Sequence, residues 1–193
     1  MATASIGVVS TTIWLINGIA NSASVGFSVQ VAQYLGAGRE KDSRDVLCQA
    51  IMFNITFGII LAFIAIMLGQ ILPSLLGADE AIRPYAKAYF CTVAAFLPFS
   101  MASSMYSSIF RCSGNVIIPS FMNVGMCLLD VVFNFFLIYP TRQIGGFTIW
   151  GANLGVRGAA LGTGLAQACV GLFLLILLTR RRGPLRLQGT EHW

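Results

Sequence analysis

The amino-acid sequence predicts an all-α, multi-pass membrane protein, and three observations carry that prediction. Hydrophobic residues make up 56% of the 193, charged residues only 10%, and the mean hydropathy is +0.79, which no soluble globular domain matches. Polar breaks divide the chain into five apolar segments, each with the roughly 20 residues a membrane helix needs. The basic residues gather in those breaks and after the last segment, as a topology signal does, rather than along one polar face. The expected partner is therefore membrane lipid, not nucleic acid. Cys48, Cys91, Cys112, Cys127 and Cys169 show no CxxC pairing, so neither a disulfide framework, a zinc site nor a cofactor is expected.

The first segment, Ile6 to Leu35, is long and polar for a membrane helix. No Lys or Arg precedes Arg39, so it lacks the basic start of a signal peptide and is expected to remain in the mature protein. Ser10, Trp14, Asn17, Asn21, Ser24 and Ser28 follow at spacings of 4, 3, 4, 3 and 4, which draws one stripe along a helix. Asn17, Asn21, Ser24 and Ser28 either line a pathway or cross-link helices, bonds worth about 0.6 kcal/mol each in membranes. Gly18, Ser22 and Gly26 mark another face suited to close helix contact.

Gly36 to Asp45 reads as a charged loop. Val46 to Leu72 is the most uniformly apolar segment, with Asn54 its main interior polar residue, and reads as a lipid-facing outer helix. Pro73 to Pro84 makes a short polar turn. Tyr85 to Phe110 is one helix that Pro98 should kink, because proline removes a backbone bond. Arg111 to Asn115 is a tight connection, and Val116 to Tyr139 is the next helix.

That helix carries Asp130, the only acid inside a long apolar run. Asn123, Cys127, Asp130 and Asn134, at spacings of 4, 3 and 4, share one narrow stripe. An acid at bilayer depth costs about 3 kcal/mol on insertion scales and so faces a bundle interior or a wet cavity. Two readings follow. Either the helix lines a pathway and Asp130 is its functional acid, the default for an intramembrane carboxyl, or Asp130 bonds Asn134 and fixes helix packing.

Pro140 to Arg157 reads as a glycine-rich loop. Gly158 to Thr179 is the last helix, opening with Gly158, Gly162 and Ala166 at GxxxG-like spacing and carrying a small polar patch at Thr163 and Gln167. Residues 183–193 read as a disordered or truncated cytoplasmic tail, whose His192 has no partners in sequence. With alternating loops, eight Lys and Arg (Arg39, Lys41, Arg44, Arg111, Arg180, Arg181, Arg182, Arg186) fall on one side and four (Arg83, Lys87, Arg142, Arg157) on the other. The richer side is cytoplasmic by the positive-inside rule. The N-terminus is then outside, which predicts an upstream helix.

Four stretches carry a resemblance: VAQYLGAG (Val31 to Gly38), LPSLLGADEAIRPYAKAYF (Leu72 to Phe90), LPFSMASSMYSSIFRCSGNVIIPS (Leu97 to Ser120) and LGVRGAALGTGLAQ (Leu154 to Gln167). In that order they resemble the multidrug and toxic compound extrusion (MATE) transporters. The resemblance implies twelve helices in two six-helix lobes, and export of organic, often cationic, compounds in exchange for sodium ions or protons. Residues 1–182 would be helices two to six of the N-terminal lobe, with the first helix and second lobe as missing partners in a bacterial inner (plasma) membrane. It further implies a cation site of an Asn and an Asp four apart on the fifth helix and a Thr on the sixth. These fall on Asp130, Asn134 and Thr163, with acid and amide exchanged relative to the family order; Asp130 would be the sodium ligand if sodium is the coupling ion. The family's helix-one acid has no counterpart in this chain. The pathway would be lined by Asn17, Asn21, Ser24, Ser28, Asn123 and Gln167.

Two other functions compete. A lipid-linked sugar flippase of the same broader superfamily would show a cationic cavity, and no Lys or Arg lies at depth inside a segment, Lys87 standing at the edge of its own. A membrane packing or assembly protein would use the small-residue faces. An enzyme is not expected, since one intramembrane acid and one tail histidine are too few.

Overall fold

The structure, a computed structural model, describes residues 2–75, 80, 83–144 and 147–180. The tail expected at 183–193, and Arg181 and Arg182 before it, lie outside them. Six helices and one hairpin follow in order: α1 (Ala2–Gly36), α2 (Glu40–Leu75), α3 (Arg83–Ala95), α4 (Leu97–Cys112), α5 (Ile117–Ile138), β1 (Pro140–Ile144), β2 (Phe147–Ala152) and α6 (Val156–Arg180).

The charged loop expected at Gly36 to Asp45 shrinks to three residues. Gly38, at φ +72°, turns the chain, and the Arg39 N–H donates to the Tyr34 carbonyl at 2.9 Å, satisfying the end of α1. Glu40 and Asp42 then fill the first turn of α2, where carboxylates meet the positive helix terminus; Arg39 closes on Asp42 at 2.8 Å. The acids start a helix instead of forming a loop.

Nor is α2 simply an outer helix. Ala50, Asn54, Gly58, Ala62, Ala65 and Gly69 are buried along one side, while Ile55, Ile59, Phe63, Ile64 and Met67 are exposed. The small residues let the next helix approach. A Cβ on Gly58 would stand 3.0 Å from the Pro98 Cα, and one on Gly69 would meet the Phe90 ring.

The expected kink at Pro98 is a break into two helices bent by 45°. Phe96 leaves the helical path, its N–H donating to Val93 at 3.1 Å, and Pro98 sits in the first turn of α4, where its missing N–H costs nothing. A second reversal at Gly114, φ +83°, leads into α5, and the Asn115 side chain accepts the Ile118 N–H at 3.2 Å.

The expected loop at Pro140 to Arg157 holds an antiparallel hairpin pairing Arg142 with Ile149, Gln143 with Thr148 and Ile144 with Phe147. β-branched and aromatic residues flank Gly145 and Gly146 in the sequence, a hairpin pattern. Glycine is required at 151, since a Cβ there would meet the Pro140 backbone. The chain then folds back on the end of α5: the Leu154 N–H donates to Leu137 at 3.0 Å and the Gly155 N–H to Ile138 at 3.3 Å, serving carbonyls the helix leaves open.

Two apolar clusters form the core. One joins Val31, Leu47, Met105, Ile109, Phe110 and Leu178; the other joins Val9, Ile16, Ala65, Ala86, Phe90 and Leu97. The first gathers the ends of α1, α4 and α6 with the start of α2, so Arg39, Arg44 and Arg111 emerge at one end of the bundle. Among the described residues, helices α2, α5 and α6 are long and apolar enough to cross a membrane, and the bent α3–α4 pair is so only if its two halves count as one span. The fifth expected span, α1, is 35 residues long and is not among the spans found over the described residues.

Candidate functional site

The hairpin returns α6 against the end of α5, and two glycines set how close the helices come. A Cβ on Gly158 would meet the Leu137 carbonyl, and one on Gly162 would meet the Asn134 side chain. Glycine at both places gives the near-backbone approach that small residues allow in membrane helix pairs. Antiparallel pairing then brings Thr163 opposite Asp130.

The Thr163 hydroxyl donates to Asp130 Oδ1 at 2.8 Å. It also lies 3.2 Å from the Ala159 carbonyl, so two acceptors share its single proton. One turn along, Asn134 Oδ1 is buried and accepts no hydrogen bond from the described residues. A carboxylate, a hydroxyl and an amide oxygen are thus gathered on one seam. Asp130 is half-buried. Among the described residues no three His, Cys, Asp or Glu converge. The donors present are all hard oxygens, which suit a proton or a hard cation better than a soft metal.

The expected lining residues separate. Asn17 and Gln167 face a cavity of about 180 Å³ shared with Thr163, Ser100 and Tyr89. Asn21 accepts the Ser104 hydroxyl at 2.7 Å, a link from α1 to α4. Ser24 and Ser28 are buried, their hydroxyls donating to the Ala20 and Val25 carbonyls of their own helix. Asn123 is exposed on α5, one turn from Cys127, which is exposed too. Gly18 and Gly26 have nothing within 4 Å of a Cβ, so the small face of α1 meets no other helix among the described residues.

Sequence reasoning missed Ser100, Ser104 and Tyr89. The signal was the serine run Ser100, Ser103, Ser104 and Ser107 just after Pro98: one pair, Ser103 and Ser107, is buried, and the other, Ser100 and Ser104, turns toward the cavity and α1.

A family model described as MatE matches residues 1–136. The chain is 30% identical over 187 residues to the uncharacterized transporter YisQ of Bacillus subtilis (strain 168), covering 95% of this chain and 39% of that protein. It is 28% identical over 167 residues to the multidrug export protein MepA of Staphylococcus saprophyticus, covering 86% and 35%. Among solved structures, an inward-facing MATE family transporter of the MOP superfamily superposes with a TM-score of 0.82 at 20% identity, over 96% of this chain and 40% of that one. An outward-facing conformation of such a transporter gives 0.81 at 21% identity, over 95% and 38%. The chain therefore spans about 40% or less of the length of these relatives.

Proposed function

This chain belongs to the MatE family, and from that premise we propose that it is part of the N-terminal lobe of a secondary antiporter, in which Asp130, Asn134 and Thr163 hold the coupling ion. In this reading the transporter exports organic, cationic compounds against sodium ions or protons across the bacterial inner membrane, and carries no enzymatic activity. The arginine-rich end of the bundle faces the cytoplasm.

The observation that carries the reading is the hydrogen bond from Thr163 to Asp130 across a glycine-notched seam. A carboxyl held at membrane depth by one hydroxyl, beside a buried amide oxygen with no donor among the described residues, is a set of acceptors in want of a positive charge. Either a proton or a sodium ion supplies it. Asn17 and Gln167 line the approach from the neighbouring cavity.

The test is ion-driven export in proteoliposomes by a complete two-lobe transporter carrying this chain, with membrane levels matched. Asp130→Asn keeps the shape and removes the charge, so coupled export should fall at least about tenfold, more than the loss of one neutral ligand. Near-normal transport by that variant under both sodium and proton gradients would leave Asp130 a packing residue.

A further inference from the structure

A separate cavity lies between the end of α2 and the start of α3. Gly69 of α2 seats Phe90 and Cys91 of α3 at close range, and one helical turn further out the same two helices leave a space of about 290 Å³ lined by Gln70, Pro73, Glu80, Arg83, Pro84 and Lys87. Because α2 starts beside Arg39 and Arg44 and runs for 36 residues, this cavity opens at the end of the bundle opposite those arginines. It shares no described lining residue with the cavity beside Thr163.

Its wall is mostly apolar, built from two proline rings and the carbon stems of the longer side chains, and the charges sit at the tips of those stems. Two cations and one acid among the described lining residues leave an excess of one positive charge. Neither Lys87 nor Glu80 forms an ion pair among the described residues. The Gln70 N–H₂ donates to the Cys91 sulfur at 3.8 Å, which leaves its second N–H for the cavity. On α2, Ile59, Phe63 and Met67 are exposed and precede Gln70 at spacings of 4, 4 and 3, so an apolar row runs from the cavity toward the middle of the bundle. The positive-inside rule disfavours Lys and Arg at this end; topology therefore does not account for two of them around one cavity.

We propose that this cavity holds the headgroup of one anionic phospholipid of the phosphatidylglycerol class, its phosphodiester on Lys87 and Gln70 and an acyl chain along Ile59, Phe63 and Met67. One excess positive charge matches one phosphodiester, and basic pockets between membrane helices take lipid headgroups in this way. Glu80 opposes a second negative charge, and so a phosphate monoester. Phosphatidylethanolamine, with no net charge, leaves the excess unmatched. The apolar row has a use only for a ligand with a hydrocarbon chain. The outer leaflet as the lipid's source rests on the orientation proposed above; the binding does not.

The test is native mass spectrometry of the purified full chain in detergent, titrated with phosphatidylglycerol or with phosphatidylethanolamine of the same acyl chains. Phosphatidylglycerol should bind at least about fivefold tighter, the worth of one basic residue at a lipid surface. Lys87→Gln should remove that preference and Lys87→Arg should keep it. Lys41→Gln, an equal loss of charge at the other end of α2, should leave it unchanged; Lys41 and Lys87 are both exposed, so neither change disturbs the core. Met67→Gln should weaken both lipids alike. A preference that survives Lys87→Gln, or that falls equally with Lys41→Gln, would overturn the site, and equal affinity of the parent chain for the two lipids would overturn the charge match. Unchanged binding by Met67→Gln, or displacement of the lipid by glycerol phosphate, would overturn the lipid in favour of a soluble phosphate ester.

Discussion

Helices α4 and α5 adjoin in sequence, and the fold treats them in opposite ways. α4 buries Leu97, Met101, Met105, Tyr106, Ile109 and Phe110, whereas α5 buries only Pro119. Each region has a buried amide with one orphan atom: Asn54 Nδ2 on α2, one turn from the Gly58 contact with α4, and Asn134 Oδ1 on α5. The first is a donor lying in a packed core, without a partner among the described residues. The second is an acceptor beside Asp130 on a helix whose far side is open, with Val124, Leu128 and Val131 exposed. Similar orphans thus sit in different settings: an unmet donor in a closed core is a packing cost, and an unmet acceptor beside a half-open carboxyl is the setting the proposed ion site requires.

The largest effect should come from separating the two helices that make the seam. Gly158→Val would drive a side chain into the Leu137 carbonyl, and since α5 has little other support, thermal unfolding of the purified chain should show a loss of about 3 kcal/mol or more. Gly26→Ala, with open space around it, should melt as the parent does. Equal melting of both would mean that α5 does not depend on this contact.

Next comes the seam chemistry. Thr163→Val should weaken ion-dependent export less than Asp130→Asn does, by about three- to tenfold, because it removes one neutral hydroxyl; a loss as deep as that of Asp130→Asn would make the hydroxyl an equal partner. A smaller effect is expected across the bend. Gly58→Ala places a Cβ 3.0 Å from the Pro98 backbone, which cannot swing aside, so stability should fall by about 1–2 kcal/mol with ion affinity unchanged. The smallest is Asn54→Leu. Removing a buried N–H₂ that bonds nothing among the described residues should leave stability equal or raise it by up to about 1 kcal/mol, whereas Asn134→Ala should spare stability and lower sodium affinity. If Asn54→Leu impaired transport as Asn134→Ala does, the contrast between the two regions would collapse.

Much of this was legible in one dimension. Apolar runs, Pro98 and the glycine punctuation marked the spans, the bend and the connections, because each acts through local backbone chemistry. The sequence misled where a local signal was ambiguous: Glu40 to Asp45 is polar enough for a loop and equally suited to a helix start, and Pro140 to Ala152 carries glycine beside strand-forming residues.

Which residues meet was another matter. Sequence by itself determined that Asp130 needs company inside the membrane and that Asn123, Cys127 and Asn134 share its stripe. It did not determine that Thr163, 33 residues on, donates to that carboxyl, that Asn21 is taken up by Ser104, or that Asn17, Ser100 and Gln167 surround one cavity. Helical spacing fixes neighbours along one helix only. The partner across the gap is chosen by how close two backbones come and in what register, and here Gly158, Gly162 and the hairpin that returns α6 onto α5 make that choice.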